Sequence, residues 1–107
     1  MALEYINDNY SRGIGVTEIA DHVGITRSHL NHLFQQELNI SIQNYLMDFR
    51  MYKAANLLVS SSMPVKEVSV SVGYRDQLVF SKAFKKKFGM SPTSYRTYSD
   101  ELETRGG

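Results

Sequence analysis

The chain has 107 residues, 42% of them hydrophobic and 21% charged, with no Cys, no Trp, two Pro and a formal net charge of +1. That length holds one small domain, or two very small ones sharing a core, and the apolar content excludes disorder over most of it. Lack of Cys excludes a disulfide framework and any thiolate metal site, and no run approaches the roughly 18 apolar residues of a membrane span.

Met1 to Tyr10 lack the basic-then-apolar order of a secretion signal, so a soluble, cytoplasmic protein is expected. Leu3, Ile6 and Tyr10 recur at helical spacing and mark a first helix, closed by Ser11, Arg12 and Gly13. Val16, Ile19, Ala20 and Val23 mark a second of about two turns, ended by Gly24, a residue able to adopt positive φ. Leu30, Leu33, Phe34 and Leu38 form the inward stripe of a third, with Thr26 as its cap. Ser41 caps a fourth, running from Ile42 to about Val59. Its apolar positions, among them Ile42, Leu46, Phe49, Met51, Ala55 and Leu58, cover more than one stripe and predict neighbours on two sides.

After Ser60, Ser61 and Ser62, Pro64 restarts a helix. Val68, Val70 and Val72 alternate as a strand would, but Val65, Val68 and Val72 fit a helix equally well and an internal repeat decides for the helix. Phe80, Ala83, Phe84 and Phe88 face inward on a sixth helix ended by Gly89. A short seventh begins at Ser91 and Pro92, and the polar stretch from Glu101 to Gly107 is expected to fray. The prediction is an all-α chain of seven helices.

The repeat pairs EIADHVGITRSHLNHLFQQELNISIQNY, Glu18 to Tyr45, with EVSVSVGYRDQLVFSKAFKKKFGMSPTSY, Glu67 to Tyr95. The offset is 49 residues up to the turn glycines Gly24 and Gly73 and 50 from Leu30 and Phe80 onward, so the second copy carries one extra residue in its turn. A short helix, a Gly turn and a longer helix make a helix-turn-helix unit, whose second helix can lie in a DNA major groove. Two units, about 3–41 and 64–102, are joined by a connecting helix, about 42–59. That helix is roughly 27 Å long at 1.5 Å per residue, of the order needed to span successive groove faces about 34 Å apart.

Charge is unevenly spread. Residues 1–53 carry four basic and six acidic side chains, a balance of −2, whereas residues 66–96 carry seven basic and two acidic, a balance of +5 that favours a polyanion. With the inward stripes removed, the first unit presents Arg27, Ser28, Asn31, His32 and Gln35, short donors and acceptors suited to base edges. The second presents Gln77, Leu78, Ser81, Lys82 and Lys85, with Val79 near the edge; Leu78 or Val79 suits thymine methyls and Lys82 suits guanine or phosphate. Lys85, Lys86 and Lys87 cannot all face one groove, so at least one serves solubility or general phosphate attraction.

Other residues read as structural. His29 and His32 have ligand spacing but no completing carboxylate or Cys, so no metal is expected, and His22 reads as solvated or capping. Tyr45, Tyr52, Tyr74 and Tyr95 read as packing. Arg50, between two apolar faces, reads as ion-paired or carbonyl-bonded. No Gly-x-Ser-x-Gly, Ser/His/Asp set, P-loop or carboxylate pair occurs, so neither an enzyme nor a cofactor is expected.

The run VGYRDQLVFSKAFKKKFGMSPTSYR, Val72 to Arg96, resembles the signature of AraC/XylS transcription regulators. The resemblance extends over about residues 4–98, including Leu30 to Phe34 and, on the connecting helix, Arg50, Met51, Ala54, Leu57 and Leu58. It implies seven helices with the third and sixth reading adjacent major-groove segments. By position it implies base contacts from Ser28, Asn31, His32, Gln77, Leu78, Val79 and Lys82. It implies phosphate contacts from Thr26, Arg27, Gln35, Arg75, Lys85, Ser91 and Thr93. Asn39 stands where Gly is usual and Ser69 where Ala is usual.

The expected function is sequence-specific double-stranded DNA binding and transcription regulation in bacteria, as an activator touching RNA polymerase. The alternative is a helical protein-interaction adaptor that kept the fold without DNA binding. Because a helix starts at once, the chain is either a standalone regulator or the excised C-terminal part of a longer one with a separate sensing or dimerising domain. The trailing Gly106 and Gly107 favour the second.

Overall fold

Side-chain acceptors start four of the helices, and left-handed residues stop three. Thr26 Oγ1 accepts from the His29 N–H at 3.1 Å, Ser41 Oγ from Asn44 at 3.1 Å, Asp76 Oδ1 from Leu78 at 2.8 Å and Ser91 Oγ from Ser94 at 3.1 Å. At the far ends Gly24, Asn39 and Gly89 take φ of 86°, 58° and 80°, where a Cβ is disfavoured and glycine or asparagine is at ease. Thr26 and Asp76, Ser41 and Ser91, and Asn39 and Gly89 each stand 50 residues apart, so the internal repeat is a repeat of caps.

The structure, a computed structural model, describes residues 2–106, with side chains as far as residue 102. Among them are α1 (Ala2–Asn9), α2 (Val16–Val23), α3 (Arg27–Leu38), α4 (Ile42–Ser60), α5 (Val65–Ser71), α6 (Gln77–Phe88) and α7 (Pro92–Gly106). A 3-10 turn, Tyr10–Arg12, follows α1, and no strand occurs among the described residues. The valine run is therefore helical, with Val68 and Val72 buried and Val70 exposed.

Two buried clusters form, rather than one shared core. Ile6, Ile14, Ile19, Leu30 and Phe34 close on Ile42 and Leu46 of α4. Val68, Val72, Phe80 and Phe84 close on Met51, Ala54, Ala55 and Leu58 of the same helix. One helix thus completes both cores, its first half in one and its second half in the other, which is why its apolar residues exceed one stripe. The molecule measures 48 × 26 × 21 Å with a radius of gyration of 15.4 Å. A compact domain of this length would have about 13 Å, so the two cores lie end to end.

Three expectations need correction. Leu33 and Leu38 are 37% and 45% exposed, because α3 packs closely on α2 and α4 along a buried stripe narrowed to Leu30 and Phe34. On α6, Ala83 and Phe88 are only partly buried beside Phe80 and Phe84. The last helix is not short: no breaker lies between Pro92 and Gly106, and the helix continues through the polar stretch expected to fray. Gly107 lies outside the described residues.

The halves also touch directly. Arg50 donates from Nε to the Tyr10 carbonyl at 3.3 Å and from Nη2 to the Ile14 carbonyl at 2.7 Å, the carbonyl-bonded role the sequence suggested. Its guanidinium lies 5.9 Å from the centre of the Tyr74 ring in the second half. Burial lowers the Arg50 pKa, against a smaller opposing pull from Tyr74. Arg96 of α7 makes an analogous pair of bonds, to the Leu58 carbonyl at 2.9 Å and the Met63 carbonyl at 2.6 Å.

Candidate nucleic-acid interface

The outer face of α3 carries Ser28, His32 and Gln35, all exposed, with Arg27 exposed at its leading end. Asn31, on the same face, is half-buried, and its Oδ1 accepts from the Ile42 N–H at 3.1 Å. It therefore caps α4 as well as facing outward, and only its amide NH2 remains to donate to a ligand. Thr26 is exposed; its Oγ1 accepts within the α3 cap while its hydroxyl proton stays free to donate.

The first turn of α6 is apolar at its tip. Leu78 and Val79 are 63% and 52% exposed, and Gln77 and Lys82 flank them in the open. Two large aliphatic side chains held outward at a helix start are poorly placed for a core and well placed for methyl groups of a partner. Asp76 Oδ1 accepts from the Leu78 and Val79 N–H groups at 2.8 and 3.4 Å, so this first turn is already satisfied and its side chains are held in one orientation. Arg75 precedes this turn and Lys82 follows it, with Lys85 and Lys86 in the last turn of the helix, all four exposed.

Two of the seven basic residues counted in this half are committed elsewhere. Lys87 Nζ sits 3.2 Å from Asp48 of α4 and 5.0 Å from the Tyr52 ring centre. The bond to Asp48 holds its pKa above the ordinary lysine value. Arg96 spends its donors on carbonyls, as described. Ser91 is also engaged: besides accepting from the Ser94 N–H, it donates to the Ser94 Oγ at 2.9 Å, whereas Thr93 is exposed. These pairings had no signal in the sequence beyond residue types able to cap.

The leading end of α3 and the turn that precedes α6 line a common cleft. A cleft of about 450 Å³ is lined by Val16, Arg27, Gln43, Met47 and Arg50 from the first half and by Tyr74, two residues before the α6 cap, from the second. A neighbouring cleft of about 350 Å³ holds Arg27, Ser28 and Asn31 beside Ser41 and Gln43. Arg27 at the start of α3 and Tyr74 in the turn before α6 thus meet in one cleft along α4.

The remaining candidates fall as follows. His22 stacks on Tyr5 with ring centres 4.0 Å apart, a packing partner not foreseen. Tyr52 is 59% exposed, with its ring 5.8 Å from that of Phe88 and beside Lys87, so it is not the core residue expected. Tyr45, Tyr74 and Tyr95 do pack, against Phe34, Phe80 and Phe84 respectively. Among the described residues no helix is long and apolar enough to cross a membrane and no cluster of three potential metal ligands occurs.

A family model described as a helix-turn-helix domain matches residues 19–98. The lactose operon transcription activator of Staphylococcus xylosus is 45% identical over 95 residues, which are 89% of this chain and 34% of that protein. The arabinose operon regulatory protein of Escherichia coli (strain K12) is 39% identical over 101 residues, 94% of this chain and 35% of that protein. Among solved structures, the C-terminal domain of AraT, a response regulator from Geobacillus stearothermophilus, superposes with a TM-score of 0.87 at 38% identity. That match covers 91% of this chain and 81% of that one. The chain spans about a third of the length of the curated relatives it matches.

Proposed function

This chain belongs to the AraC/XylS family of helix-turn-helix DNA-binding domains, and from that premise we propose that it binds double-stranded DNA sequence-specifically and regulates transcription in bacteria. One observation carries the mechanism: α3 and α6, packed on the two halves of one long helix, each turn polar or aliphatic side chains outward, and Arg27 at the start of α3 shares a cleft with Tyr74 of the turn before α6. With 19 residues, α4 is about 28 Å long. The 48 Å long axis exceeds the roughly 34 Å between successive major-groove faces. One chain therefore reaches two grooves on one side of a duplex.

In this reading Ser28, His32 and the Asn31 amide group of α3 read one major-groove segment, and Gln77, Leu78, Val79 and Lys82 of α6 read the next. Thr26, Arg27, Gln35, Arg75, Lys85 and Thr93 hold phosphates, as does Ser91 through its backbone, since its hydroxyl is engaged. The names of the two curated relatives, one a lactose operon transcription activator and the other an arabinose operon regulatory protein, support regulation of a sugar-use operon; activation by contact with RNA polymerase in the cytoplasm is part of the same proposal. The small share of those relatives that the chain spans supports its being the C-terminal DNA-binding part of a longer regulator with a sensing or dimerising domain.

Selection of duplexes from a random pool at moderate salt tests the proposal. Enrichment of two short elements about 10 base pairs apart, in fixed order, is expected. Enrichment of one element would leave specificity to a single unit. No enrichment by a folded protein would favour the adaptor reading, in which exposed Leu78 and Val79 dock a protein partner.

A further inference from the structure

Gly24 and Gly73 occupy matching places in the two copies of the repeat, and both take positive φ, 86° and 97°. Their surroundings differ. A Cβ on Gly24 would meet nothing within 4 Å, so its glycine serves the turn alone. A Cβ on Gly73 would stand 2.4 Å from the Tyr10 carbonyl oxygen, 3.1 Å from Arg50 Nε and 3.1 Å from the Gly13 nitrogen. Gly13 faces it in turn, where a Cβ would stand 3.1 Å from the Gly73 oxygen. The second unit's turn is pressed backbone to backbone against the exit of α1 in the first, and nothing in the helix-turn-helix motif itself requires that contact.

Apart from α4, the closely packed helix pairs all fall within one half or the other. Without further contact the halves would be joined by one helix, free to bend and twist between Leu46 and Met51. Gly13, Gly73, Tyr74 and Arg50 bridge that stretch, with Arg50 bonded to the Tyr10 and Ile14 carbonyls on one side and lying against Tyr74 on the other. We propose that these four residues form a clasp that fixes the angle between α3 and α6, and so sets the spacing of the two DNA elements the chain accepts. They act as positioning residues, not as DNA contacts.

The consequence for DNA rests on the two-groove reading above. Two modules held in the bound geometry see each other's sites at high effective concentration, and a loosened pair does not. Adding one base pair between the elements moves the second by about 3.4 Å and turns it by roughly 35°. A clasped protein resists that change, whereas an unclasped one follows it.

The test has two arms. The chain contains no Cys, so Gln36→Cys and Lys86→Cys, at exposed positions on α3 and α6, allow paired spin labels to report the distance between units. A narrow distribution is expected, at least doubling in width with Gly73→Ala or Arg50→Met. In the second arm the unlabelled protein is titrated with the selected duplex, with one bearing an extra base pair between elements, and with single-element duplexes. The extra base pair should weaken the unsubstituted protein tenfold or more and the two variants less than threefold, with single-element affinity within twofold throughout. Unchanged label widths in folded variants, an unchanged spacing penalty or an equal loss on every duplex would overturn the clasp. Should both variants unfold, Gly13→Ala, with its milder 3.1 Å contact, takes their place. Enrichment of a single element would end the two-groove reading, while the label distances would still decide the clasp.

Discussion

Ser69 is 1% exposed on α5, and its hydroxyl has no partner among the described residues. A buried, unpaired hydroxyl costs more than the methyl that could replace it, so Ser69→Ala should raise stability by about 1 kcal/mol in urea denaturation. No gain would mean that the hydroxyl finds a partner in solution. Lys82 stands in the open beside Leu78. If it reads a base edge, Lys82→Ala should weaken binding to the selected site by about 1–3 kcal/mol and relax preference at one position. A uniform loss across sequences would assign it to phosphate instead. Individual roles of this kind were legible where chemistry is local: Asn39 stood out as a departure from glycine, and its φ of 58° shows the left-handed cap that explains the usual choice. The double duty of Asn31 was not legible, because its partner Ile42 lies 11 residues away across a turn.

Helices, their order and most of their ends followed from periodicity and from Thr26, Ser41, Gly24 and Gly89 at segment ends, since those signals lie within a few residues of what they determine, whereas the Asp76 cap of α6 was not read from the sequence. Faces were less legible. Removing every apolar residue from the surface of α3 put Leu33 and Leu38 inside, yet the close packing of α2 and α4 covers a narrower stripe and both side chains remain partly in water. Charge was misjudged for a similar reason: Lys87 meets Asp48 and Arg96 meets Leu58 across 39 and 38 residues of chain, distances that no sequence period reports. The difference is measurable on α6. Lys85→Gln should reduce the magnitude of the salt dependence, d log K/d log[salt], by about 0.9, as loss of one phosphate contact requires. Lys87→Gln should leave it unchanged. Equal effects would show that the Asp48 pair opens on binding, as an exposed ion pair worth roughly 0–1 kcal/mol readily can.

Two cores on one helix predict two levels of opening for the whole molecule. Leu30, 2% exposed, belongs wholly to the first core. Leu30→Ala should cost about 2–5 kcal/mol there and speed amide exchange in α1, α2, α3 and the first half of α4 by about 30-fold or more. Amides of α6 should exchange within about twofold of their original rates. Acceleration everywhere would mean that the cores melt as one. The shared helix also makes the length of the chain between the cores a matter of phase. Each residue added to α4 between Leu46 and Met51 would advance the second unit by about 1.5 Å and swing it by about 100°, carrying α6 off the side that α3 occupies. The shortest addition that brings it back within about 20° of its original bearing is about seven residues, near two full turns and 10.5 Å. Insertions and deletions in this segment are therefore quantised: the ruler between the two readers can lengthen only in whole turns, while the loops at either end can drift one residue at a time.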